Sequence, residues 1–73
     1  MTLHIHAPKG FYLGQIRRRY ARKFQTVTRE LTEANTALAI AVLRWDQSHS
    51  EARVIFCTHD GYYQPHVVME AKR

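Results

Sequence analysis

The spacing of apolar residues changes along the chain, and each change marks an element. The clearest period is helical. Ala34, Ala37, Leu38, Ala41, Val42 and Trp45 recur at i, i+3, i+4, i+7, i+8 and i+11. That single stripe predicts an amphipathic helix over Glu33–Gln47, roughly 22 Å long at 1.5 Å per residue. Glu33 falls at its positive end and Arg44 near its negative end, as the helix dipole favours. Thr32 is a plausible N-cap, and Ser48-His49-Ser50 ends the helix as a polar loop.

After the helix the period drops to two. Ala52–His59 and Tyr62–Ala71 read as strands, and Asp60-Gly61 between them is a hairpin signal, because both residues tolerate positive φ. A two-residue turn there pairs His59 with Tyr62, Phe56 with Pro65 and Val54 with Val67. Pro65 lacks an amide, so the second strand should be an edge and Ala52–His59 an interior strand. Trp45 and Leu38 should then meet Val54, Phe56 or Ile55 in the core.

The first thirty residues are less regular. Leu3 and Ile5 alternate with His4 and His6, which suggests a short strand or extended arm. Ala7-Pro8-Lys9-Gly10 breaks it. Phe11-Tyr12-Leu13 lies between Gly10 and Gly14, so residues 1–14 are expected to form a mobile or extended arm. Over residues 15–31, Ile16, Tyr20, Phe24, Val27 and Leu31 keep helical spacing, yet Phe24–Thr28 is rich in β-formers. A basic strand over Tyr20–Leu31 is the favoured reading, with a basic helix over Leu13–Val27 as its competitor. The expected fold is a single α+β domain over residues 1–73. A small antiparallel sheet of three to four strands carries one amphipathic helix.

Composition changes this picture little; charge changes it more. At 73 residues and 45% hydrophobic the chain can form one thin core, too small for a multi-step enzyme with its own cofactor domain. The single cysteine, Cys57, excludes a disulfide scaffold. No apolar run approaches the roughly 18 residues of a membrane span. Met1–Pro8 has neither the basic nor the apolar region of a signal peptide, so a cytoplasmic protein is expected. The net charge of +5 is unevenly spread. Residues 1–29 hold seven basic residues and no acid, whereas residues 30–73 hold four basic and six acidic ones. Such asymmetry suits a phosphate-rich or acidic partner, or simply a solvated face.

Five histidines raise the question of a metal. His4 and His6 share a strand face. Cys57 and His59 share another, and the expected register brings His66 to it. No second spaced pair completes four converging ligands, so neither metal nor other cofactor is expected. Cys57 with His59 lacks the third, orienting group of a nucleophile–base pair. A small ribonuclease toxin working with histidine and arginine alone remains a minor alternative, and no catalytic residue is assigned.

The stronger signal is Arg17-Arg18-Arg19-Tyr20-Ala21-Arg22-Lys23-Phe24. Guanidinium groups fork onto phosphate and stack on bases, while Tyr20 and Phe24 offer stacking platforms. The same residue types also serve protein interfaces. A direct, weakly specific RNA- or DNA-binding module is therefore one reading of this block.

Chain length, basicity and the Phe11-Tyr12-Leu13 segment ahead of Arg17–Lys23 give a second reading. In these the chain resembles the small early transcription regulators and antiterminators of lytic bacteriophages, of the Xanthomonas phage type. The resemblance implies a non-enzymatic protein in the host bacterial cytoplasm. It would bind the large subunits of RNA polymerase, shut off host promoters and promote antitermination. Nascent RNA or DNA phosphates would be further contacts, and no membrane is involved. The expected partner-binding residues are Leu3, Ile5, Phe11, Tyr12, Leu13, Arg17, Arg18, Arg19, Tyr20, Arg22 and Lys23. An edge strand over Tyr62–Ala71 also leaves a homodimer open.

Overall fold

A computed structural model describes residues 10–58 and 65–72. In chain order the elements are β1 (Gly10–Arg18), β2 (Gln25–Thr26), α1 (Ala34–Leu43), β3 (His49–Thr58) and β4 (His66–Lys72). The strands form one antiparallel sheet in the order β2-β1-β3-β4, with α1 packed on one face. The α+β fold matches the sequence pattern. As expected, β3 is interior and β4 is an edge.

The helix covers a face made of small residues. Ile16, Ala41 and Ala52 form the centre of the core, with Val27, Leu38, Val42, Trp45 and Ala71 packed around them. Val54 and Ala37 are fully buried. Trp45 and Leu38 thus pack against the cluster of Ile16, Ala41 and Ala52. Ile55, one of their expected partners, pairs with Leu13 on the opposite, open face. Gly14 explains how the helix comes so close. A Cβ there would sit 2.5 Å from the Ala37 carbonyl oxygen and 2.8 Å from the Thr28 methyl. Only a residue without a side chain lets α1 lie down on β1.

Several expectations require correction. Phe11–Leu13 is not part of a mobile arm: residues 10–14 begin the nine-residue β1, and residues 1–9 lie outside the described residues. Neither the basic strand over Tyr20–Leu31 nor the competing helix over Leu13–Val27 forms as such. The segment does run antiparallel along β1, pairing Ile16 with Gln25, Gln15 with Thr26 and Tyr12 with Leu31. Between those pairs the Thr28 hydroxyl accepts from the Gly14 amide at 2.8 Å, where a carbonyl would continue a ladder. A side chain competing for a backbone partner cuts β2 to two residues.

The helix is shorter than its apolar stripe. Glu33, not Thr32, takes the N-cap position, without a side-chain cap bond, and Arg44 caps the other end. Beyond it the Asp46 carboxylate accepts from the Ser48 amide at 2.7 Å and from the Ser48 hydroxyl at 2.5 Å. This Asx-type turn claims the residues that would have formed the last turn. Trp45 reaches past it, its indole N–H donating to the Glu51 carbonyl at 3.2 Å.

The β3–β4 register is also offset. Phe56 pairs with His66 and Ile55 with Val67, and a bulge then moves Val54 onto Met69. The expected Phe56–Pro65 and Val54–Val67 pairs do not occur; Pro65 precedes β4 and is exposed. The Asp60-Gly61 turn and the His59–Tyr62 pair lie outside the described residues. Because side chains alternate, a one-residue offset moves His66 to the face opposite Cys57.

Candidate functional site

The basic block occupies the end of the sheet where β1 stops. A bulge between Arg17 and Arg18, which leaves Ser50 as the extra residue on β3, breaks the regular ladder there. The chain then turns at 18–21, with the Ala21 amide donating to the Arg18 carbonyl at 3.0 Å. The Arg19 amide donates to the Ser48 carbonyl at 2.7 Å, which ties this turn to the loop before β3. Between the two lies an open hollow of about 530 Å³, lined by Arg18, Arg19, Tyr20, Ala21, Gln47 and Ser48.

The block divides into residues that brace the loop and residues that face outward. Arg17 braces it. Its Nη1 donates to the Ala21 carbonyl at 2.7 Å and its Nη2 to Glu51 Oε1 at 2.5 Å. The hydrogen bond from Arg17 holds the Glu51 carboxyl below its usual value, aided by the positive charges of Arg17, Lys72 and Arg53. Phe24 also faces inward. The Arg53 guanidinium lies 3.7 Å from its ring centroid, and that of Arg17 lies 5.8 Å away. Arg53 Nε in turn donates to Gln15 Oε1 at 2.8 Å, and the Gln15 amide donates to Thr26 Oγ1 at 3.0 Å. Gln15 is buried by this web, its polar ends satisfied.

Arg18, Arg19, Arg22 and Lys23 are exposed. Tyr20 is 97% exposed, more than any other large hydrophobic residue among those described. An aromatic ring so fully in water, in a braced turn among cations, lies outside the core and is accessible to contact. The nearest acid in sequence on the Gln47–Ser48 side is Asp46. Its carboxylate is turned to Ser48 and lies 3.0 Å from the imidazole of the buried His49. The Ser48 hydroxyl and amide bonds hold Asp46 below the usual carboxylate value.

The remaining expected contacts are not gathered here. Leu3 and Ile5 lie outside the described residues. Phe11 and Leu13 are half-buried on the open face, paired with Cys57 and Ile55. Tyr12 lies on the other face, in a row with Phe56 and His66 whose ring centroids are 5.1 and 5.7 Å apart. The sequence reading overlooked Gln47 and Ser48 as hollow-lining residues and Glu51 and Arg53 as braces. The Asp46-x-Ser48 turn signal was legible, whereas the braces depend on pairing between strands far apart in sequence.

The Cys57 thiol is pushed up by burial and then by the nearby Glu30 charge, both of which disfavour the thiolate form. Among the described residues no three His, Cys, Asp or Glu side chains come together as a metal site, and no helix is long and apolar enough to cross a membrane. No family model matches the chain, and neither the curated proteins nor the solved structures offer a match to it.

Proposed function

We propose that the protein is a binding regulator of transcription that docks on bacterial RNA polymerase. In this reading it represses host promoters and favours readthrough of terminators by occupying the enzyme, without chemistry of its own. The choice of polymerase follows the resemblance to phage regulators. The observation that carries the binding role is the braced loop at 18–23, which holds an exposed Tyr20 among Arg18, Arg19, Arg22 and Lys23 with no acid between them. Bracing supports the reading because a surface fixed before contact loses less entropy on association. The cations would steer the encounter toward an acidic or phosphate-rich region.

The test is capture from a Xanthomonas lysate treated with nuclease, at moderate and high salt. Polymerase large subunits should be retained by the native protein. A variant with Arg18, Arg19 and Arg22 all replaced by Glu should retain far less. Absence of polymerase from the native capture overturns the proposal.

A further inference from the structure

We infer that the hollow beside Tyr20 takes one nucleotide of a single-stranded nucleic acid. The base stacks on the Tyr20 ring, the Gln47 amide meets the base edge, and Arg18 and Arg19 hold the flanking phosphates. This deepens the regulator reading by naming a ligand for its loop, but it rests on the chemistry of the hollow and is tested separately.

Four features point to this ligand. The hollow, at about 530 Å³, is of the size that small planar ligands occupy. The residues around it, from two short stretches, Arg18–Ala21 and Gln47–Ser48, include an aromatic residue, two arginines and a glutamine. Stacking, a phosphate clamp and a donor–acceptor pair are what an unpaired nucleotide requires. The two stretches are also fixed to one another by the Arg19–Ser48 backbone bond. Finally, Arg17 is committed to Glu51 and Ala21, so it holds the turn while Arg18 and Arg19 stay exposed.

Single strands fit better than the other polyanions. A duplex keeps its base faces stacked inside, which leaves Tyr20 without a partner. An acidic protein face satisfies the arginines, but a planar group for Tyr20 is not built into every acidic face as it is into every unpaired nucleotide. Every base has a π-face, so the site should depend on strand state more than on sequence.

The experiment measures fluorescence anisotropy of labelled decanucleotides with the intact protein. The probes are single-stranded RNA, single-stranded DNA of the same sequence, the RNA duplex and polyglutamate. Single strands should bind more tightly than duplex or polyglutamate, and the RNA and DNA arms decide which strand is preferred. Tyr20→Ala should weaken single-strand binding roughly 5- to 150-fold, as expected for loss of one stacked base, while Tyr20→Phe retains it. Replacing Arg18 and Arg19 by Ala should lower the log–log salt slope by about 1.4, at about 0.7 per phosphate contact on single strands. Arg29→Ala, an exposed cation outside the hollow, should leave affinity within twofold.

Circular dichroism of each variant establishes that it is folded. Equal affinity for duplex and single strand overturns the inference. So does an unaffected Tyr20→Ala variant, or binding of polyglutamate alone. Polymerase capture without single-strand binding sinks this inference and spares the regulator reading. Single-strand binding without polymerase capture does the reverse.

Discussion

The two faces of the sheet are held by different physics. On the helix-covered face, Gly14, Ala37, Ala41, Ala52 and Val54 bring backbones and short side chains into close contact. On the open face, Arg17, Glu51, Arg53, Gln15 and Phe24 form a polar web that carries the basic loop. The first face is dominated by shape and the second by direction and charge. A close-packed face penalises any added volume, whereas a polar web fails in proportion to the partners it loses. The protein therefore keeps its stability on one side and its loop geometry on the other.

The most severe challenge to this contrast is one methyl group. Gly14→Ala places a Cβ 2.5 Å from the Ala37 carbonyl oxygen, helix backbone that resists movement, and 2.8 Å from the Thr28 methyl. Stability should fall by about 2–3 kcal/mol, the upper range for overpacking. Urea denaturation reads this as a lower midpoint at unchanged slope. A loss under about 0.5 kcal/mol, the level of a neutral surface change, would mean that α1 can lift off β1 and that the tight face is not the main source of stability.

The same glycine shows what sequence reading could and could not reach. The helix stripe from Ala34 to Trp45 and the β3 run were legible because each element buries one face at its own period. β1 was hidden for the opposite reason. Gly10 and Gly14 look like breakers in isolation, yet Gly14 is glycine because a helix passes over it, and Gly10 because the Phe56 ring and the Cys57 carbonyl occupy the space a Cβ would need. Both contacts are long-range. The Arg17–Lys23 block was legible as a basic surface, but its division was not. Arg17 and Phe24 became braces through Glu51 and Arg53, strand partners more than twenty-five residues away. The hollow needed Gln47 and Ser48, which reach Arg19 only once β1 and β3 are aligned.

A smaller effect separates the web from the core. Arg53→Ala removes the bond to Gln15 and the cation over Phe24. The expected loss is about 1–2 kcal/mol, the scale of one charged hydrogen bond plus a partly exposed cation–π contact. Its sharper signature is local. Amide exchange at Gln15, Thr26 and Ala21 should speed up well before that at Ala41 or Val54, because the web opens while the core holds. Uniform acceleration across both groups would show that the two faces unfold as one unit.

The mildest test is acid. Glu51 titrates below its usual value in the folded protein, first because Arg17 donates to it and then because Arg17, Lys72 and Arg53 surround it with positive charge. The unfolded chain therefore binds the proton at higher pH than the folded one. Glu51 contributes stability that is fully present above the ordinary glutamate range and is lost as pH falls through its depressed folded value. Glu51→Gln should be less stable than the native protein near neutrality, and the two should converge on acidification. The gap should be smaller than either loss above, because Arg17 and Glu51 are 22% and 26% exposed and water screens them. Asp46 keeps its own acid dependence in the variant, since Ser48 rather than Arg17 lowers it. A gap that widened toward acid would reverse the sign. It would mean that Glu51 is destabilising as a carboxylate, and that the loop is held by the Arg17–Ala21 bond alone.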